Sequence, residues 1–171
     1  MSRREAEFGE FVAARRAPLF RTARLLAAGD DHHAEDLVQA ALERLYVAWP
    51  RVRAEDGPEA YVRRVLVNLA IDDSRRPWWR VSLRADVPDV TQVPDRHGPD
   101  GQPHDERDAV RSALAQLPPR MRAAVVLRHW LECDVRETAA LLGCSEGTVK
   151  SQTARGLALL RERLASVAPN R

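Results

Sequence analysis

The chain has few of the residues that cross-link small secreted folds or hold structural metals. Only two of its 171 residues are cysteine, Cys133 and Cys144, and two thiols at this spacing exclude a disulfide scaffold and a zinc framework. Reduced thiols in a cytoplasmic protein are the simplest interpretation. No apolar run approaches the roughly 20 residues that span a bilayer, and the first residues, MSRR, do not lead into the apolar stretch of a secretion signal. We therefore expect a cytoplasmic protein with no membrane insertion.

The sequence also lacks the patterns of an enzyme. It has no Gly-rich phosphate loop, and no nucleophile lies in a spacing that suggests a partner base. His32 and His33 lie beside acidic residues, but adjacent helical residues diverge by about 100° and no further ligand lies near in sequence. We predict no catalytic residues, no metal site and no cofactor.

Positive and negative charge are unevenly distributed along the chain. Residues 85–108 carry 2 basic and 7 acidic residues, a net −5, whereas residues 109–171 carry 10 and 5, a net +5. Residues 51–84 carry 8 basic and 5 acidic residues, a net +3. Two basic blocks separated by an acidic spacer suit a polyanionic partner without proving one.

Helical periodicity runs through both halves of the sequence, and no stretch alternates as a strand would. We predict helical structure over 5–28, with either a kink or a junction of two helices at Pro18. Further helices are predicted over 33–49, ended by Pro50, and over 58–76. Residues 85–107 hold four prolines and almost no large apolar side chain, which is typical of an extended tether. Further helices are predicted over 108–117, with Val110, Leu114 and Leu117 on one face, and over 120–131. The predicted fold is all-α: two small helical domains, 1–84 and 108–168, joined by a flexible acidic linker, 85–107.

The stretch 135–160, VRETAALLGCSEGTVKSQTARGLALL, has the pattern of a helix-turn-helix. A left-handed C-cap is expected at Gly143, and Ser145 is a good N-cap for the second helix. The alternative is an ordinary helical hairpin with a solvated polar face. In a helix-turn-helix, the start of the second helix would enter a DNA major groove. The polar residues placed for that role are Thr148, Lys150, Ser151, Gln152 and Arg155.

The helix over 58–76 carries Tyr, Arg and Asn on the side opposite its apolar residues. Such side chains can stack on bases, pair with phosphates and bond base edges, although incidental surface arginines would look the same. The polar side of the helix over 33–49 is equally open to two interpretations, a solvated face or a protein-binding face.

The order of these pieces resembles a known family. AEDLVQAALERLY, YVRRVLVNLAIDDSRR, an acidic Pro-rich tether, LPPRMRAAVVLRHW and TAALLGCSEGTVKSQTARGLALLRERL follow one another as in the extracytoplasmic-function group of bacterial RNA polymerase sigma factors, those with only regions 2 and 4. The actinobacterial SigE-like type is the most similar. The resemblance implies core RNA polymerase and promoter DNA as partners, and an anti-sigma protein as a regulator.

The resemblance also implies roles for particular residues. Those expected to bind core polymerase are Asp36, Leu37, Gln39 and Glu43. Those expected at the −10 element, where the duplex melts and a base is flipped out, are Arg51, Arg53, Tyr61, Arg64, Asn68, Arg75 and Arg76. Residues 118–131 would touch the polymerase flap, and the helix-turn-helix would read the −35 element. Gln152 stands where many relatives carry Arg, which leaves one −35 contact in doubt.

Two other functions fit parts of the pattern. A stand-alone helix-turn-helix regulator would bind operator DNA by itself as a dimer with palindromic half-sites. A helical adaptor would bind polymerase without selecting promoters. Measuring promoter binding with and without core polymerase distinguishes both of these functions from that of a sigma factor.

Overall fold

The structure, a computed structural model, describes residues 3–52, 57–74 and 104–167. Within these ranges the chain is helical and contains no strand, as predicted. The seven α-helices are α1 (Arg3–Leu26), α2 (Asp31–Val52), α3 (Pro58–Ser74), α4 (His104–Ala115), α5 (Pro119–Val125), α6 (Val135–Leu142) and α7 (Glu146–Val167). A π-helical turn, Val126–Trp130, extends α5. None of the helices in the described ranges combines the length and the hydropathy that a membrane span requires.

Helices α1 to α3 form the first lobe around the apolar stripe of α2. The six apolar residues that recur at helical spacing along α2 are all at most 4% exposed: Ala34, Leu37, Val38, Ala41, Leu45 and Trp49. The Trp49 ring packs edge-on with Phe8 and Phe11 at centroid distances of 5.2 and 5.5 Å. The stripe therefore packs α2 onto α1 by the periodicity that the sequence shows.

Both prolines expected to break helices lie inside them. Pro18 lies within α1, and α2 continues past Pro50 to Val52. A proline inside a helix costs about 3 kcal/mol. In α1, Phe11 before Pro18 and Leu19 after it pack on the same core, so burial on both sides holds one continuous helix. The predictions of a helix end at Pro50 and of separate helices at Pro18 were wrong.

The second lobe consists of α4 to α7. Helix α4 begins at His104, inside the range assigned to the linker. Of the three residues predicted on one face, Leu114 and Leu117 are buried, whereas Val110 is 40% exposed. Residues 75–103, which include most of the predicted linker, lie outside the described residues. Helix α7 packs across α4, α5 and α6 and forms the spine of this lobe.

The close crossing of α5 and α7 depends on Gly156. A Cβ atom there would lie 2.5 Å from Cγ2 of buried Val125 and 3.1 Å from Cγ of Met121. We expect Gly156→Ala to lower the free energy of unfolding by up to about 2 kcal/mol, because overpacking costs about 1–3 kcal/mol and Ala regains only roughly 1 kcal/mol of helix propensity. Urea denaturation measures the change. The control is Gly147→Ala in the same helix, where the nearest atom is 3.8 Å away; equal stability of the two variants would contradict the prediction.

Arg122 of α5 is buried beneath the helix ends around it. Its guanidinium donates hydrogen bonds to the backbone carbonyl oxygens of Leu114 (3.0 Å), Ala115 (3.2 Å) and Leu117 (3.0 Å), at the C-terminal end of α4. It also donates to the carbonyl oxygen of Leu26 in α1, at 2.8 Å. One side chain therefore satisfies carbonyl groups that two helix ends leave without intrahelical partners.

Candidate nucleic-acid interface

The first helix of the helix-turn-helix is held by a capping box. Asp134 accepts a hydrogen bond from the Glu137 amide at 2.7 Å, and the Glu137 side chain accepts one from the Asp134 amide at 2.8 Å. This cap was not predicted from the sequence, although Asp followed by Glu three residues later resembles the known pattern. Thr138 is fully buried and donates to the Asp134 carbonyl oxygen at 2.7 Å.

The turn has the predicted geometry. Gly143 adopts φ 61° and ψ 43°, the left-handed C-cap conformation that favours glycine. The Ser145 Oγ accepts from the Thr148 amide at 3.1 Å, so Ser145 caps α7. Val149 is fully buried and fixes the start of α7 against α6. Both cap predictions are confirmed.

The side of α7 opposite Val149 is open to solvent. Thr148, Ser151 and Arg155 are exposed and follow one another on one face at intervals of three and four residues, and half-buried Gln152 flanks them. Lys150 is exposed on the other flank of the helix. The hydroxyl groups of Thr148 and Ser151 already bond within α7 and its cap, to Ser145 Oγ at 2.9 Å and to the Thr148 carbonyl oxygen at 3.0 Å.

Lys150 and Arg155 are the two positively charged residues among the polar residues predicted on α7. Within the described parts of the chain, neither makes an ion pair or a side-chain hydrogen bond. Lys150 flanks the strip, whereas Arg155 lies within it about one turn further along α7, so the two cations would reach DNA at different positions along a groove that admits α7.

A second exposed polar face lies on α3. Tyr61 is half-buried, and Arg64 and Asn68 are exposed, three and seven residues further along the same face. Arg51 is exposed near the end of α2. The other three residues predicted for this face, Arg53, Arg75 and Arg76, lie outside the described residues.

An open groove of about 570 Å³ joins the end of α2 to the start of α3. Its lining includes two of the predicted −10 residues, Arg51 and Tyr61, together with Arg44, which was not predicted from the sequence, and Glu43 and Val47 from the exposed side of α2. Two guanidinium groups and an aromatic ring around an open groove can hold a single nucleic-acid strand, because the ring stacks on its planar bases and the guanidinium groups pair with its phosphates.

A third surface follows the exposed side of α2. Asp36, Gln39 and Glu43 share one helical face, and Gln39 donates a 3.0 Å hydrogen bond from Nε2 to Glu43 Oε1 at an exposed position. Leu37 is only 2% exposed, because it points into the α1–α2 core. Leu37 therefore helps to hold α2 in place, and its predicted contact with a partner stays a prediction.

The same face continues into two apolar residues that were not predicted from the sequence. Val47 is 79% exposed and Tyr46 is 37% exposed. The Tyr46 ring lies under the Arg4 guanidinium at 4.7 Å and beside the Phe8 ring at 4.9 Å. The sequence carried a signal for this patch, a valine at a solvent-facing position of an amphipathic helix, since exposed apolar patches commonly mark partner sites.

The thiols and histidines make no contribution to these surfaces. Burial raises the pKa of the Cys133 thiol, and the nearby Arg63 guanidinium offsets this only in part. His32 is exposed while His33 is buried at the start of α2, where its amide donates to Asp30 Oδ1 at 2.9 Å. Over the ranges that the structure covers, no three His, Cys, Asp or Glu residues form a metal-binding group.

Two family models match this chain and cover its two lobes. The model of Sigma-70 region 2 matches residues 11–80, and that of Sigma-70, region 4 matches residues 107–160. The RNA polymerase sigma-E factor of Streptomyces avermitilis is 42% identical over 94% of this chain and 86% of its own length. The ECF RNA polymerase sigma factor SigM of Mycobacterium tuberculosis is 33% identical over 83% of this chain and 69% of its own length.

Solved structures share the fold. The sigma factor RpoE of Bartonella quintana, solved in complex with the anti-sigma factor NepR, superposes with a TM-score of 0.70 at 23% identity, over 93% of this chain and 97% of that one. CnrH, solved with the cytosolic domain of CnrY, gives a TM-score of 0.61 at 22% identity, over 96% and 91%. These similarities give no support to a stand-alone regulator.

Proposed function

The chain belongs to the extracytoplasmic-function group of RNA polymerase sigma factors, which direct core polymerase to promoters, and from that premise we propose how its surfaces divide this work. Sigma factors are transcription initiation factors rather than enzymes, so these surfaces bind and position but catalyse no reaction.

The start of α7 reads the −35 element in the major groove. Thr148, Ser151 and Gln152 are polar side chains that suit base edges, while Lys150 and Arg155 supply the positive charge that neutralises phosphates beside the groove. The observation that carries this assignment is the solvent-facing strip on α7, opposite fully buried Val149.

The α3 face and the adjoining groove bind the melted −10 strand. Arg51, Arg64 and Arg44 supply positive charge, and Tyr61 supplies a stacking platform, which together suit single-stranded DNA. Asn68 can hydrogen-bond a base edge. Arg53, Arg75 and Arg76 are proposed to add phosphate contacts because of their positions in the sequence.

The exposed side of α2 docks on core polymerase. Its polar part is Asp36, Gln39 and Glu43, and its apolar part is Tyr46 and Val47. An apolar centre beside polar groups is the usual composition of a protein–protein contact. The partners are therefore core polymerase and promoter DNA, and the protein works in the cytoplasm. An anti-sigma protein is proposed as a further partner because the structural neighbour RpoE was solved with one.

Promoter binding with and without core polymerase tests this function. Gel shifts on a promoter fragment mapped from transcripts that depend on this protein should show strong binding only when core polymerase is added, since two weak DNA contacts gain effective concentration once polymerase joins them. Full-affinity binding by the chain alone would favour a stand-alone regulator. Polymerase binding without promoter choice would favour an adaptor.

A further inference from the structure

One residue beside the exposed strip of α7 differs in chemistry from the others proposed to face DNA. Gln152 carries a primary amide, whose Nε2 donates hydrogen bonds and whose Oε1 accepts them. Among the residues that the structure describes, its side chain makes no hydrogen bond, so both atoms are available to a ligand. Gln152 therefore offers a donor and an acceptor side by side at the edge of the proposed −35 surface.

The two hydroxyl groups on the strip already take part in hydrogen bonds within α7 and its cap. Ser151 Oγ donates its single proton to the Thr148 carbonyl oxygen at 3.0 Å, and Thr148 Oγ1 is bonded to Ser145 Oγ at 2.9 Å. Ser151 can therefore only accept a hydrogen bond from DNA, and a single acceptor bonds the amino group of adenine or of cytosine alike. These hydroxyl groups can contact base edges, but they select one base only weakly.

Lys150 and Arg155 cannot select adenine either. Their side chains carry donors and no acceptor, so where either reached a base edge it would favour guanine, which presents two acceptors in the major groove. Where they bind phosphates, they fix the register of α7 on the duplex and read no base. Of the five polar residues proposed for −35 reading, Gln152 alone presents a donor and an acceptor on two atoms of one planar group.

The amide of Gln152 matches one base in the major groove. Adenine presents N7 as an acceptor beside the N6 amino group as a donor, so Nε2 and Oε1 of one amide can bond both. Guanine presents N7 and O6, which are both acceptors, so the Oε1 atom of Gln152 would face an acceptor without a proton between them. The same amide therefore favours adenine and disfavours guanine.

The position of Gln152 on α7 suits such a contact. It lies four residues after Thr148 and three residues before Arg155, so it is a neighbour of both on the helix surface. It is half-buried, because the second lobe covers part of its side chain. Less rotamer freedom is therefore lost when its amide binds a base than for a fully exposed side chain of the same length.

We propose that Gln152 selects adenine at one position of the −35 element, with Nε2 donating to N7 and Oε1 accepting from the N6 amino group. The proposal rests on the sigma-factor function above and on the binding of α7 in the major groove. It adds that the −35 element contains one A·T pair whose identity depends on this one side chain.

Exchange of the preferred base tests the assignment. Each base pair in the −35 element of a promoter that depends on this protein is replaced by the other three, and single-round transcription is measured with reconstituted holoenzyme. We expect the native chain to prefer A over G by about 10-fold at one position. Gln152→Arg should prefer G at that same position, because a guanidinium group bonds both guanine acceptors. Gln152→Ala should lose the preference there and keep the preferences at the other positions.

The matched control is Gln116→Arg, the same change at an exposed residue of α4. It adds the same positive charge outside α7, so its base preferences should equal those of the native chain. Unchanged preferences at the remaining −35 positions show that the Gln152 variants keep their fold. A Gln152→Arg variant whose base preferences equal those of the control, or that loses activity equally on every template, would overturn the assignment.

A modified base separates the adenine contact from a contact with phosphate. 7-Deazaadenine has a carbon atom in place of N7, so it lacks the proposed acceptor for Nε2 while the phosphates stay unchanged. At the selected position it should weaken promoter binding by native holoenzyme by about 5-fold, as expected for one lost hydrogen bond, and leave Gln152→Ala holoenzyme unaffected. Equal weakening of both would assign N7 to another residue, and weakening of neither would assign the amide to a phosphate. Each of these two results would overturn the proposal.

The same templates separate this proposal from the proposed function. A native holoenzyme that transcribes equally from every altered −35 template would remove −35 reading by this chain. A holoenzyme that depends on the −35 element, but whose preference for adenine does not change with residue 152, would leave that function in place and remove only the role of Gln152.

Discussion

Replacing Lys150 and Arg155 together with alanine is expected to lower transcription from −35-dependent promoters by on the order of 100-fold. Each cation is proposed to contact the −35 DNA, and a single lost contact costs about 1–3 kcal/mol where it reads a base, with phosphate contacts adding a salt-dependent loss. Both side chains are exposed, so the fold is expected to be unaffected. Single-round transcription with reconstituted holoenzyme measures the effect.

The matched control removes two positive charges from the far end of the same helix. Arg161 and Arg163 are exposed in α7, outside the proposed reading strip, and their double alanine variant should retain most activity. On templates with a scrambled −35 element, the Lys150/Arg155 variant and the native chain should perform equally. If the variant were as defective there as on the native promoter, the loss would not lie in −35 reading.

Replacing Asp36 and Gln39 together with alanine is expected to weaken core-polymerase binding by about 10-fold, which corresponds to about 1.4 kcal/mol. The two residues share the exposed face of α2, and neither belongs to the buried stripe. Competition against a labelled sigma factor for a fixed amount of core polymerase measures the change. The melting temperature should stay within about a degree or two, because exposed substitutions rarely alter stability by more than about 0.5 kcal/mol.

Val47 offers a sharper version of the same experiment. Val47→Asp changes a side chain that is 79% exposed, so it should leave the fold intact while placing a charge in the apolar part of the docking face. A control that removes one exposed acid and one exposed amide elsewhere, Glu10→Ala with Gln116→Ala, should compete like the native chain. Competition by the α2 variants equal to that of the control would mean that polymerase binds another face.

The helix-turn-helix shows how much of a structure can be predicted from local sequence. The turn at Gly143, the cap at Ser145 and the buried face through Val149 all depend on residues within a few positions of one another, so their pattern could be recognised without tertiary information. The buried stripe of α2 was predictable for the same reason. Proline was a less reliable guide, since packing on both sides of Pro18 keeps α1 continuous.

The amino-acid sequence alone determined the all-α class, the two helical lobes, the family and the polar face of α7. Helical period, caps and motif order depend on residues that lie close together in the sequence. Only the tertiary structure decided that Arg122 is buried and joins α5 to a carbonyl group 96 residues away. It also decided that the lobes pack together. These features arise from contacts between residues far apart in the chain. The free energy of such contacts depends on which surfaces meet, and a local sequence pattern does not contain that information.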